Sequence, residues 1–256
     1  MLTVPALGHF VSSARTPAPR RDRTIPAWAI VSAGLTPLLL TGGWLFAGTL
    51  QPASYNPVRD TVSVMAGHGG TDRWVMTGAL LLVGGFHLVT AAGLGAIRVP
   101  ARVLLILAGM SSIGIAISPE PVVGSTPQHL AWTSFGAVII TIWPAFTARP
   151  GSPHPLIVSR PGSAVVTAVF LGLLCWLVVE TQGGSYLGMA ERLTSSVQTS
   201  WPFVVAVVLW RHAARADRPE LTGELAEASH AQAMTREAMT TEPMTTGAPP
   251  GQRDLA

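Results

Sequence analysis

Residues 74–97 read WVMTGALLLVGGFHLVTAAGLGAI and contain no charged side chain. An α-helix needs about 20 apolar residues to cross the hydrocarbon core of a membrane, so this segment is long enough to span one. Six long segments of the chain lack charge in this way, namely 27–49, 74–97, 103–118, 129–147, 162–179 and 193–210. The short segment 103–118 reaches spanning length by extending back through Val99, provided that Arg102 bends towards the interface. The sequence therefore predicts an all-α, polytopic membrane bundle of six transmembrane helices.

The overall composition agrees with a membrane protein. Of the 256 residues, 48% are hydrophobic and 11% are charged, against about 25% charged in an average soluble domain. The end segments 1–26 and 213–256 hold 16 of the 29 charged side chains, which leaves 13 for residues 27–212. A soluble globular domain is therefore excluded for residues 27–212. The end segments are poor in large aliphatic residues, and we predict that both are disordered cytoplasmic tails, with low complexity in the C-terminal one.

The distribution of arginine predicts the orientation, because loops on the cytoplasmic side carry an excess of basic residues. All 16 basic residues are arginine. Of the 14 arginines within residues 15–218, eleven fall on the side of the two termini: Arg15, Arg20, Arg21, Arg23, Arg98, Arg102, Arg149, Arg160, Arg211, Arg215 and Arg218. The opposite side has three, Arg59, Arg73 and Arg192. We expect a multi-pass protein of the plasma membrane with both termini in the cytoplasm. Because the arginines are scattered, the lipid bilayer and not a nucleic acid is the expected partner.

The loop after the first spanning segment is the most distinctive part of the chain. Residues 55–67 read YNPVRDTVSVMAG. Asn56 is a residue type that caps helices, Pro57 suits a first helical turn, and Gly67 can end the helix. We therefore predict a short amphipathic helix in this loop, which faces the outside. The alternative is a capped loop whose polar side chains only contact solvent or pair locally.

The pattern Asn56-Pro57-x-Arg59-Asp60-x-x-Ser63 after a first membrane helix resembles the domain of unknown function 998 family, a family of six-helix bacterial integral membrane proteins. Further points of resemblance are His87, His129 and the pair Glu191-Arg192, which precedes Trp201-Pro202. The likeness covers roughly residues 27–212 and leaves out both tails. It implies a six-helix membrane bundle and brings no established activity to the chain.

Other polar groups are predicted on the same outer side of the membrane. These are Glu120, His129, Glu180, Glu191 and Arg192, together with the polar run from Thr194 to Ser200 in the sixth segment. Polar side chains in a membrane helix usually face the bundle interior or a water-filled cavity. The sequence therefore predicts a polar vestibule that opens to the outside.

His87 is the titratable side chain that lies deep in a spanning segment. An ionisable group inside a membrane is a candidate functional residue. The structural alternative is a neutral imidazole that is hydrogen-bonded to a serine or threonine of a neighbouring helix. At the start of the same segment, Asp72 is expected to cap the helix.

The candidate ligand-binding residues are Asn56, Arg59, Asp60, Ser63, His87, His129, Glu191 and Arg192. The favoured function is a binding or transport bundle for a small polar molecule or a lipid head group, in which Arg59 and Arg192 hold anionic groups. Two alternatives stay open, a membrane-embedded enzyme that acts on lipid and a non-catalytic partner in an envelope complex. The motifs H-x-x-x-H, H-E-x-x-H and G-x-S-x-G are absent, so no catalytic residue, metal or cofactor is assigned. The sequence is compatible with a homo-oligomer.

Overall fold

The structure, a computed structural model, describes residues 25–148 and 155–240. The regular structure of these residues is entirely helical. The helices are α1 (Ala27–Thr49), α2 (Val62–Ala66), α3 (Trp74–Gly93), α4 (Val99–Ile117), α5 (Pro127–Thr147), α6 (Arg160–Glu180) and α7 (Leu187–Thr240), with a 3₁₀ turn at Leu156–Val158. All except α2 contain a segment that is long and apolar enough to cross a membrane. The predicted all-α fold with six membrane-spanning segments is confirmed.

The start of α4 shows how a short apolar segment becomes long enough to span. The Arg102 guanidinium donates hydrogen bonds to the carbonyl oxygens of Ala91 and Ala92, over 2.9 and 3.3 Å. These carbonyls lie near the end of α3, where backbone acceptors lack partners within the helix and favour a cation. The charge of Arg102 is therefore satisfied, and α4 begins at Val99 as predicted.

Consecutive long helices pack side by side, with α1 on α3, α3 on α4, α4 on α5 and α5 on α6. The backbones of α3 and α4 approach each other closely. A Cβ atom added to Gly84 would lie 2.7 Å from the carbonyl oxygen of Gly109, and one added to Gly109 would lie 2.7 Å from that of Gly84. Glycine at both positions is thus required for this approach, as is common between membrane helices.

The first part of α7 is hydrogen-bonded to the other helices of the bundle. Thr194 donates to the Leu173 carbonyl of α6 over 3.2 Å. The Gln198 amide donates to the Thr141 hydroxyl of α5 over 2.8 Å. Residues 187–210 of α7 therefore belong to the bundle, whereas the residues from Arg211 onwards form a second unit.

The two ends of the bundle differ in character. The segments 50–73, 118–126 and 181–186 lie at one end, which we term the signature end. The His68 amide there donates to the Glu120 carbonyl over 2.8 Å, which joins the first two of these segments. Towards the opposite end, apolar side chains fill the interior, among them Ala29, Leu94, Leu105, Trp143 and Val205. Polar chemistry in the bundle is therefore concentrated near the signature end.

The helix predicted in the first loop is present but shorter than expected. α2 begins at Val62, after the Thr61 hydroxyl accepts a hydrogen bond from the Val64 amide. Asn56 does not cap it, because its side-chain oxygen accepts from the Val58 amide, two residues on, over 2.9 Å. Asparagine commonly makes this local turn in competition with a helix. The prediction of a cap at Asn56 is therefore wrong, and that of a short helix in this loop is confirmed.

Two further expectations differ from the structure. Asp72 has a φ of 47° and lies before Arg73, the N-cap residue of α3. Asp72 therefore does not cap α3, in contrast to the prediction. The backbone of α7 is helical to Thr240, where a disordered tail was predicted from residue 213. Ala and Glu are abundant in residues 220–240 and favour helix. The predictions for residues 1–24 and 241–256 lie outside the described residues.

Candidate functional site

Arg192 joins the first loop to the start of α7. Its Nη1 atom donates to the backbone carbonyls of Pro57 and Asp60, each over 2.8 Å, and to that of Gly188 over 2.9 Å. Its Nη2 atom donates to the Tyr55 hydroxyl. The side chain is buried, its Nη1 atom bonds to main-chain oxygen atoms, and its Nε atom has no hydrogen-bond partner among the described residues. Arg192 therefore holds the backbone of the first loop, whereas the expectation from the sequence is that it binds an anionic group.

Backbone contacts reinforce this junction. The Met189 amide donates to the Val58 carbonyl over 3.1 Å, and the Val62 amide donates to Glu191 Oε2 over 2.6 Å. Gly188 leaves the space for this contact, because an added Cβ atom there would collide with the Asp60 carbonyl oxygen. The loop motif and the Glu191-Arg192 pair are thus parts of one structural unit. We term residues 55–62 the docked loop.

Aromatic rings surround the buried guanidinium. Arg192 Cζ lies 5.4 Å from the centroid of the Trp44 ring and 5.9 Å from that of the Tyr55 ring. Such cation–π contacts favour a guanidinium that has lost part of its water shell. Burial raises the pKa of the Tyr55 phenol, although the charge of Arg192 acts in the opposite direction. The phenol therefore stays protonated at neutral pH and accepts from Arg192 through its oxygen. Tyr55 has no role among the residues predicted from the sequence.

The side chains of Asn56 and Asp60 shape the backbone of the docked loop, whereas that of Arg59 does not. The Asp60 carboxylate accepts from the Asn56 amide over 2.7 Å. The Arg59 side chain is exposed and makes no hydrogen bond or ion pair with any residue that the structure describes. None of these three side chains lines either of the two cavities described next.

The first cavity lies at the signature end and has a volume of about 350 Å³. We term it the signature cavity, and its polar wall is formed by Ser63, Glu120, His129 and Glu191. His129 Nδ1 lies 2.7 Å from the Ser118 carbonyl oxygen, so this nitrogen carries a proton and donates. His129 Nε2 lies 3.0 Å from Ser63 Oγ and 3.6 Å from Glu120 Oε1. The loop, α5 and the segment after α4 therefore meet at a buried imidazole.

The second cavity lies inside the bundle and has a volume of about 180 Å³. We term it the central cavity, and its lining includes His87, Gln198 and Glu191. His87 is 3% exposed. Its Nδ1 atom donates to the Val83 carbonyl of its own helix over 3.0 Å. Its Nε2 atom has no hydrogen-bond partner among the described residues. The structural alternative for His87, a hydrogen bond to a serine or threonine of a neighbouring helix, is therefore not observed among these residues.

Glu191 is common to both cavities. Its position follows from the docked loop, since Oε2 is held by the Val62 amide. The carboxylate thus lies between the signature cavity and the central cavity. A ligand or water molecule in either cavity would have access to the same acidic group.

The hydroxyl groups that line the central cavity can accept hydrogen bonds from a ligand but have no free proton to donate. Each hydroxyl has one proton, and in every case this proton is donated to a backbone carbonyl. The residues concerned are Ser111, Ser112, Thr133, Thr194, Ser195 and Thr199. Together with the Glu191 carboxylate and the unpaired His87 nitrogen, they make the lining rich in hydrogen-bond acceptors.

The eight predicted site residues thus separate into two groups and one exposed side chain. Ser63, His87, His129 and Glu191 line the cavities, Asn56, Asp60 and Arg192 hold the docked loop, and Arg59 is exposed. The prediction left out Glu120 and Gln198, although both belong to the polar groups that the sequence places on the outer side. Among the described residues, no group of three or more His, Cys, Asp or Glu side chains is arranged to hold a metal ion.

Comparison with known proteins gives one match, to a protein family. No curated protein and no solved structure matches the chain. Residues 32–208, which include the docked loop, both cavities, the four complete spanning helices α3 to α6 and parts of α1 and α7, match the family described as Protein of unknown function (DUF998). Because this match covers well over half of the sequence and the fold is the six-span bundle that the resemblance implies, the chain belongs to the DUF998 family.

Proposed function

We propose that the chain is a binding bundle for a small organic cation, such as a primary ammonium. The observation that carries the proposal is the shared position of Glu191 between two acceptor-rich cavities, neither of which is lined by an arginine among the described residues. An ammonium group has donors only, and its hydrogen bonds to carboxylates are charge-assisted and strong. Transport is the second candidate, favoured by the central cavity, which extends the polar space into the middle of the bundle.

The same geometry argues against an anionic ligand. Two carboxylates, Glu120 and Glu191, line the signature cavity, and a buried anion beside them would lack a counter-charge. Arg192 lies outside both cavities and donates from Nη1 to main-chain oxygens and from Nη2 to the Tyr55 hydroxyl, and Arg59 also lies outside both cavities. The expectation from the sequence is that these arginines hold an anionic head group. We propose instead that the carboxylates bind a cation.

A pair of ligands with matched size and opposite charge tests the proposal. The purified protein in lipid nanodiscs is titrated with propylammonium chloride or sodium propionate, and sodium chloride serves as the ionic-strength control. We expect propylammonium to raise the unfolding temperature, because a ligand that binds only the folded state stabilises it, by about 2.7 kcal/mol at a concentration 100 times Kd. Propionate is expected to have no effect beyond that of the salt. Equal or greater stabilisation by propionate would contradict the proposal.

We further propose that the protein lies in the plasma membrane with its signature end outside and both termini in the cytoplasm. The support is the arginine bias of the sequence, eleven against three, because basic residues are retained on the cytoplasmic side. In this orientation the signature cavity lies near the outer surface of the membrane.

Cysteine labelling tests the orientation. Cys175 is the single cysteine, so a Cys175→Ala background accepts one reporter at a time. Val123 and Leu156 are exposed apolar residues in segments at opposite ends of the bundle. In intact cells, an impermeant maleimide is expected to label Val123→Cys, and to label Leu156→Cys only after permeabilisation. The reverse pattern would invert the proposed orientation.

A further inference from the structure

The signature cavity is open on the side of the bundle between α5 and α6. One face of each helix lines it, with Leu130, Thr133, Ser134, Ala137 and Val138 from α5, Leu174, Leu177 and Val178 from α6, and Thr181 directly after α6. Leu130, Val138 and Val178 are each about half exposed on the surface of the bundle. Side chains that line a cavity and are also exposed leave the cavity connected to the surface at that point. We term this opening the lateral gap.

The lateral gap lies along spanning helices, and its walls are mostly apolar, with hydroxyl groups at Thr133, Ser134 and Thr181. From Leu130 to Val138 it follows α5 for about 12 Å, at 1.5 Å per residue. α5 and α6 both contain segments long and apolar enough to cross a membrane, so their exposed sides face acyl chains in a bilayer. The polar wall with Glu120, His129 and Glu191 lies at one end of the same cavity. The cavity is thus amphipathic, with acceptors at the signature end and an apolar opening towards lipid.

We propose that the ligand of the signature cavity is a membrane-borne amphiphilic amine, a long-chain ammonium whose chain lies in the lateral gap. This inference rests on the proposed function for the charge of the ligand and adds its chain and its route of entry. The ammonium meets the carboxylates of Glu120 and Glu191, while the hydrocarbon chain passes between α5 and α6 and remains in contact with lipid. A ligand that enters from water has no need of an apolar opening on the side of the bundle.

Two adjacent residues of α6 provide a matched test. Val178 and Val179 are 52% and 66% exposed, but only Val178 lines the cavity. Val178→Trp places a large ring in the lateral gap, whereas Val179→Trp places the same ring on the neighbouring surface. Val138→Trp obstructs the gap from α5 and provides a second variant should Val178→Trp fold poorly. Circular dichroism and size-exclusion chromatography check the fold of each variant.

The probes are decylammonium, propylammonium and decanoate, measured in nanodiscs of constant lipid content so that partitioning into lipid is the same for every variant. We expect Val178→Trp to weaken binding of decylammonium at least about tenfold more than binding of propylammonium, a difference of about 1.4 kcal/mol. Val179→Trp is expected to change neither affinity. Equal losses for both amines in Val178→Trp and in Val138→Trp would overturn the lateral route and leave the cation site standing. Absence of binding by both amines to the unmodified protein, or equal binding of decanoate and decylammonium, would overturn the proposed function as well.

Discussion

Replacing Arg192 with methionine is expected to destabilise the bundle by about 3–5 kcal/mol, because several acceptors lose their donor at about 1–3 kcal/mol each. The change leaves the carbonyl oxygens of Pro57, Asp60 and Gly188 without their donor. Buried acceptors that lose their partner bear the full cost of desolvation. Thermal or chemical unfolding of the purified protein in nanodiscs measures the loss.

Arg59→Met is the matched control, because it removes the same functional group three residues before the α2 helix, at an exposed position. Surface substitutions of this kind usually change stability by less than about 0.5 kcal/mol. Arg192→Lys should fall between the two, since a single ammonium cannot reproduce the fork that reaches the three carbonyls and the Tyr55 hydroxyl. Equal stability of Arg192→Met and Arg59→Met would show that Arg192 does not hold the docked loop.

The second large effect is expected for Glu191→Gln, which should weaken binding of propylammonium by at least about tenfold, or 1.4 kcal/mol. Glutamine keeps an oxygen that accepts from the Val62 amide, so the docked loop retains its contact with α7. The substitution removes the negative charge that lies between the two cavities. Isothermal titration gives the affinity, and the unfolding temperature without ligand shows whether the fold is unchanged.

Glu180→Gln is the control for this substitution. The Glu180 carboxylate accepts from Trp176 Nε1 and from the Tyr186 amide and does not line either cavity. We expect near-normal binding in Glu180→Gln and in Asp72→Asn. Asp60→Asn should also keep binding, because Asp60 shapes the loop and its side chain lies outside the cavities. Normal affinity in Glu191→Gln would remove the cavities from consideration as the cation site.

The six spanning helices could be predicted because one physical requirement acts on every residue within them. A charged side chain inside the hydrocarbon region is costly, so scarcity of charge identifies a span without knowledge of its neighbours. The extension of α4 back to Val99 followed from the same reasoning, since Arg102 needed only a polar position at the helix end. The presence of a short helix in the first loop was also predictable, from local side-chain patterns.

The arrangement of the site could not be predicted in the same way. Arg192 bonds to main-chain oxygens more than 130 residues earlier in the sequence, and a carbonyl group is present at every residue, so nothing in the sequence marks which ones will accept. Asn56 was assigned to a helix cap because the same side chain suits both a cap and a local turn, and the turn prevailed. The shared position of Glu191 depends on how α5, α6 and α7 pack, which is a property of the whole bundle.

Anchoring through main-chain atoms separates the shape of the docked loop from the identity of its exposed side chains. Arg192 recognises the carbonyls of Pro57 and Asp60, and every amino acid supplies such a carbonyl. A position such as Arg59 can therefore change its chemistry while the anchor stays intact. The exposed residues of the docked loop can therefore be varied, in evolution or by design, without changes in the helices that hold the loop.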